Sequence, residues 1–143
     1  MTTVLDLHPT PGHPGGVVAA VHEALDGVDV DGLSPDHYAG TIAELARARS
    51  RLHALELRLV AAAERTTLAA DAGCASTGAW LSRQTRSGTA SAARAVRLAT
   101  DLDDRLPATP QALSDGELST DHASVIAHAT AQLPAGLGAR FGT

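Results

Sequence analysis

The sequence predicts an all-α fold: a single helical domain with one long helix, a helix-turn-helix-like pair and a further short helical pair. Three observations carry this expectation. Of 143 residues 44% are hydrophobic, enough for one buried core, yet 29 are Ala and only Tyr38, Trp80 and Phe141 are aromatic. Such a core is thin and suits helices that approach through small side chains, whereas a large β-sandwich wants β-branched and aromatic residues. Apolar residues recur at three- and four-residue spacing, and hydroxyl caps, Gly and Pro punctuate the segments that carry them.

Taken in order, residues 1–16 combine Pro, Gly and His without periodicity and are expected to form a flexible leader. Val17, Val21 and Leu25 then mark a short amphipathic helix, broken by the segment from Asp26 to Gly32. Ser34 as N-cap, Pro35 in the first turn and Asp36 at the positive helix end start a long helix. From there to Asp71 no further Pro occurs and the only Gly is Gly40. Ile42, Leu45, Leu52, Leu55 and Leu59 are expected to form one stripe on this helix, which at 1.5 Å per residue would span roughly 50 Å. A helix of that length must project, bend or pair with another chain.

Gly73 is the expected stop, and Ser76 or Thr77 begins a helix over 76–86. Ser87, Gly88 and Thr89 make a tight turn, and residues 90–106 a longer helix ended by Pro107. Two helices joined by about three residues containing Gly have the spacing of a helix-turn-helix. After Pro110 the pattern partly recurs: a stub at Gln111–Leu113, a turn at 114–118, then Ser119 capping a helix from Thr120 to Gln132 that closes at Leu133-Pro134. Thr89, Ala93, Val96 and Ala99 share their spacing with Ser119, Ala123, Ile126 and Ala129, as ordinary amphipathic helices also do. The helical domain is thus expected over 17–134, with 135–143 as a tail leading into a further C-terminal region.

The net charge of −5 argues against a general nucleic-acid binder, because affinity for phosphate backbones comes from accumulated positive charge. Resolved by region, the charge is −6 over residues 1–40, +5 over 41–100 and −4 over 101–143. All the basic charge is Arg, since the chain contains no Lys. Arg47, Arg51, Arg58 and Arg65 stripe the long helix, where a solvated flank or the rim of a helix pair is the plain expectation. Arg83, Arg86, Arg94 and Arg97 fall in the helix-turn-helix candidate. Ser91, Arg94, Arg97, Asp101 and Asp104 share the outer face of its second helix, while Ala92, Ala95, Val96, Leu98, Ala99 and Leu102 point inward. Arg94 and Arg97 sit in the first turns, where a recognition helix meets base edges or phosphates. Asp101, four residues after Arg97, is placed to pair with it instead.

Catalytic chemistry finds no support. The single Cys74 excludes an internal disulfide framework and a cysteine-rich zinc site, and is expected to be a small buried residue. His122 and His128, six apart, lie on different helix faces and cannot share a metal; His22, His37 and His53 stand alone. There is no H-E-x-x-H, P-loop, G-x-G-x-x-G or G-x-S-x-G. Trp80 beside Leu81 is expected in the core rather than on a base-stacking platform. No Lys or Arg precedes Arg47, so no secretory signal is evident, and no apolar run approaches the length of a membrane span. A soluble, cytoplasmic protein without a membrane partner is expected.

Several of these residues together resemble a known family. Gly73, Ser76-Thr77 and Trp80-Leu81 form G-x-x-S-T-x-x-W-L, and Ala112-Leu113, Gly116, Leu118-Ser119 and His122-Ala123 form A-L-x-x-G-x-L-S-x-x-H-A. With Ala93, Val96, Ala99, Pro107, Ile126 and Leu133-Pro134, the pattern resembles the actinobacterial "domain of unknown function 222" family over residues 34–134. In that family the helical region usually precedes an HNH endonuclease domain, which cuts DNA with a metal held by His and Asn or Asp. The resemblance implies a DNA-associated, nuclease-linked module. This chain contains no Asn and no histidine cluster of the HNH kind, so no catalytic residue carries over. No cofactor is expected in it, and a divalent metal only if an HNH domain follows.

Two functions are therefore expected. The first is positioning of double-stranded DNA, with Arg83, Arg86, Arg94 and Arg97 on phosphates and Ser91 or Arg94 nearest the groove, the parent protein and not this chain being the endonuclease. The alternative is a helical oligomerisation or docking module, a homodimer through Leu45, Leu52, Leu55 and Leu59, without direct DNA contact.

Overall fold

The computed structural model describes residues 12–105, 111, 112, 114–117 and 119–131. Most of the expected leader, Pro107, Leu113, the closing Leu133-Pro134 and the expected tail lie outside them. Every regular element among the described residues is helical: α1 (Pro14–Asp26), a 3-10 turn (Pro35–His37), α2 (Tyr38–Glu64), α3 (Leu68–Asp71), α4 (Thr77–Thr85), α5 (Thr89–Arg105) and α6 (Thr120–Ala131). No described helix is long and apolar enough to cross a membrane. The chain divides into two compact units, residues 1–41 and 42–143.

In the first unit α1 starts three residues before the expected helix, inside the stretch read as leader. Pro14 needs no amide partner in the first turn, and the His13 ring accepts a hydrogen bond from the Gly15 amide at 3.1 Å, which caps the helix. None of its residues is buried.

In the second unit nine residues form the buried cluster: Ala54, Leu57, Val60 and Ala61 of α2, Leu81 of α4, Ala92, Ala99 and Leu102 of α5, and Ala123 of α6. Five of the nine are Ala, so much of the core is built from methyl groups. Trp80, Ala95, Val96 and Leu98 pack partly buried against them. Trp80 is a core residue, as its apolar neighbours predict. The shared register of α5 and α6 does not become a shared burial pattern. Ala99 is buried whereas its counterpart Ala129 is exposed, so the two helices turn different faces inward.

The long helix begins at Tyr38, after the separate 3-10 turn in which Ser34 makes no side-chain cap hydrogen bond, and it differs from expectation in two further respects. It ends at Glu64, not near Asp71, because consecutive threonines offer the backbone other partners. Thr66 Oγ1 donates to the Ala63 carbonyl at 2.7 Å and accepts from the Leu68 amide, and Thr67 Oγ1 donates to Asp71. Its 27 residues span about 40 Å. Gly73, at φ +70°, closes the separate short α3: Cys74 N donates to Ala69 O and Gly73 N to Ala70 O, the paired bonds of a Schellman turn. The second difference is the face that is buried. Ser50, Ala54, Leu57, Val60 and Ala61 turn inward, while Ile42, Leu45, Leu52 and Leu59 are exposed.

The arginine stripe of α2 largely fastens helices together. Arg47 Nε donates to the Asp115 carbonyl and Arg51 Nε to the Ser114 carbonyl, each at 3.2 Å, at the end of the helical stub around 111–114. Cationic donors at a helix C-terminus satisfy carbonyls that have no further amide to meet. Arg65 forms an exposed ion pair with Asp103 of α5. Gly116 completes this junction. Its φ of +75° lets Glu117 N bond Ala112 O, and a Cβ there would overlap Arg47 Cγ and press on the Arg47 carbonyl oxygen at 3.2 Å.

Gly116→Ala is expected to cost about 2 kcal/mol or more, since left-handed strain and overpacking add; the shift of the urea midpoint measures it. Leu57→Ala is expected to cost roughly 2–4 kcal/mol. Leu45→Ala, at an exposed position, should stay within about 0.5 kcal/mol in the same titration run on dilute chain, well below about 1 µM.

Candidate nucleic-acid interface

The geometry of the α4–α5 pair begins with local chemistry. Ser76, in extended conformation, accepts from the Ala79 amide at 3.1 Å and starts α4. Gly78 lies against α5, where a Cβ would sit 3.4 Å from Ala93 Cα, so the two backbones approach through Gly and Ala. Three hydroxyls then lock the turn. Ser82 Oγ donates to the Ser87 carbonyl at 2.6 Å, Thr85 Oγ1 donates to the Leu81 carbonyl at 2.9 Å, and Thr85 and Ser87 hydroxyls meet at 2.8 Å.

Arg86 follows α4 in the left-handed conformation, φ 53°, ψ 28°, and is the only non-glycine residue with positive φ among those described. Gly is the residue that usually takes this place, because a Cβ crowds the following carbonyl there. Gly88 is available two residues later but does not adopt it. The sequence shows the hydroxyl run Ser82, Thr85, Ser87 and Thr89, which could have identified the lock; it gives no sign that an Arg occupies the strained position.

On α5 the expected faces are present. Ala92, Ala99 and Leu102 are buried, Ala95, Val96 and Leu98 half-buried, and Ser91, Arg94, Arg97 and Asp104 exposed. Asp101 is half-buried and does not pair with Arg97. Among the described residues Arg86, Arg94 and Arg97 have no ion-pair or hydrogen-bond partner for their guanidinium groups. Arg83 differs: it donates to the Ala72 carbonyl at 3.2 Å, at the end of α3, and so is partly occupied in holding α3 to α4. The outer surface of the pair thus carries Arg86, Ser91, Arg94 and Arg97, with Arg83 tethered beside them in sequence.

A second region bears on catalysis. An open cleft of about 700 Å³ is lined by Arg47, Arg49, Ser50, His53, Ser119, Asp121 and His122 among others. It brings together His53 and His122, which the sequence leaves apart. His53 Nδ1 lies 3.4 Å from Glu56, and its Nε2 is buried without a partner among the described residues. Ser119 Oγ meets His122 Nδ1 at 2.9 Å, the distance of an activated hydroxyl, but it also accepts from the His122 amide at 3.3 Å. That pairing is the N-cap of α6, with its His in the third helical position, and no strained elbow presents the hydroxyl. Among the described residues no group of three His, Cys, Asp or Glu could hold a metal ion. Cys74 is half-buried, with Sγ 3.9 Å from the Ala72 carbonyl.

The leucines expected to drive association are placed apart from the core. Leu45 is 55%, Leu52 38% and Leu59 48% exposed, and Leu55 is half-buried. Sequence alone does not separate this face from the buried one, since Leu occurs at 45, 52, 55, 57 and 59. Leu57, the leucine that the core uses, is absent from the expected stripe.

No curated protein and no solved structure matches the chain. A family model described as a domain of unknown function, DUF222, matches residues 39–140, from the start of α2 through α6 and beyond, and the chain belongs to that family.

Proposed function

We propose that this chain is a DNA-associated helical module of an HNH endonuclease-like protein, working in the cytoplasm and positioning double-stranded DNA without cutting it. The supporting observation is Arg86. A flexible charged side chain occupies a backbone conformation that favours Gly, in a turn locked by three hydroxyls, next to a helix whose Arg94 and Arg97 are exposed and unpaired among the described residues. Strain that a Gly would relieve makes sense where the side chain has a task outside the fold. Arginines without acidic partners keep their donors for an external anion, and a phosphate accepts two in fork geometry. The HNH association rests on the family resemblance. Any divalent metal would belong to such a domain and not to the residues described.

Fluorescence titration of duplex DNA across a salt series tests the reading. Three to four Arg–phosphate contacts predict a slope of log K against log salt of roughly −3 to −4. Arg94→Ala and Arg97→Ala should each flatten it by about 1. A flat response in the parent chain, or no change in the double variant, would sink the proposal.

Arg86→Gly separates fold from function. It is expected to raise stability by about 1 kcal/mol through relief of the left-handed strain, while weakening DNA binding in the same titration. A variant that is more stable and binds equally well removes Arg86 from the interface.

A further inference from the structure

The exposed face of α2 has a pattern that the DNA reading does not use. Leu45, Leu52 and Leu59 recur every seven residues, and Ala48, Leu55 and Ala62 stand three further on in each interval, giving the first and fourth positions of a heptad. Ala48 and Ala62 are exposed, as are the three leucines. At 100° per residue this seam lies about half a turn around the helix from Ala54, Leu57 and Ala61, so the same helix serves the core with one side and leaves the other bare.

The flanking charges choose the occupant and its direction. Glu44 and Arg51 precede the seam residues at the seventh heptad position, and Arg49 and Glu56 follow at the fifth. In a parallel, in-register pair each seventh position faces the fifth position of the next heptad on the other helix. Glu44 then meets Arg49 of the second copy, and Arg51 meets Glu56, opposite in sign both times. An antiparallel pair would keep an attractive contact between Arg49 and Glu56 of the second copy but set Arg51 against Arg58, like charges, whereas the parallel pair has no like-charged contact. Glu44 and Arg49 have no hydrogen-bond or ion-pair partner among the described residues, and Arg51 spends only its Nε on Ser114, leaving both terminal amino groups. We propose that a second copy of this chain docks on this face, forming a parallel, in-register α2–α2′ coiled coil whose seam is Leu45, Leu52, Leu55 and Leu59.

The test is made without DNA, so it stands or fails apart from the DNA reading. Light scattering of the full chain from about 1 to about 100 µM, the range expected of a seam under three heptads long, should show the mass doubling. Leu52→Asp should return it to the monomer mass with its circular dichroism kept, because Leu52 is outside the core. Glu44→Arg should weaken the dimer by about tenfold, and adding Arg49→Glu should restore it, which a purely local role for either residue would not do. Ala48→Cys in a Cys74→Ser background should form a disulfide-linked dimer on air oxidation. A monomer at all these concentrations overturns the proposal and leaves the face to another protein; so does a dimer that the Ala48→Cys variant fails to cross-link or that the charge exchange does not restore.

Discussion

Leu57 and Val60 are buried in a cluster made largely of alanines, and the rest of the structure depends on that cluster. Ala54 and Ala61 on α2, Ala92 and Ala99 on α5 and Ala123 on α6 make up more than half of it. A core of this kind buries modest apolar area per residue, so it relies on fit. It also has few large side chains to hold the helices in register, and the junctions at its edges take over that task. Gly116 against Arg47 is a place where a single added methyl would force a shift, while Gly78 lets α4 lie directly on Ala93 of α5.

Arginine is divided between two uses. Arg47 and Arg51 close the carbonyl end of the 111–114 stub, Arg65 meets Asp103, and Arg83 holds the end of α3. Each spends at least one donor inside the fold. Arg86, Arg94 and Arg97 spend none among the described residues, and they lie on the turn and outer face of one helical pair. The positive charge of the middle region is therefore not evenly available. Arg49 and Arg58 of α2 are also exposed and unpartnered among the described residues, but Arg86 sits in a turn locked by Ser82, Thr85 and Ser87, and a locked turn lowers the conformational cost of presenting its side chain.

Much of the fold was legible because its signals are local. Ser76 and Ser119 cap α4 and α6 where their hydroxyls predict, Gly73 and Gly116 take positive φ at helix ends, and α5 buries the face its spacing assigns. The end of α2 was not legible, because Thr66 and Thr67 compete with the helix through hydrogen bonds that a periodicity count ignores. Pairing was also unreadable. Asp101 has the spacing to meet Arg97, yet the pair that forms is Arg65 with Asp103, whose partners are brought together from different helices.

By itself the sequence determined that this protein is helical, where most helices start and stop, which face of α5 is apolar, and that its positive charge is arginine concentrated in the middle of the chain. These follow from caps, spacing and composition, each acting within a few residues. Only the tertiary structure decided which leucines of α2 are core, which arginines are already occupied, that His53 and His122 line one cleft, and that Arg86 holds a left-handed turn. Those properties depend on which helix lies across which, and a helix with leucines on both sides carries no internal mark of the side its neighbours will cover.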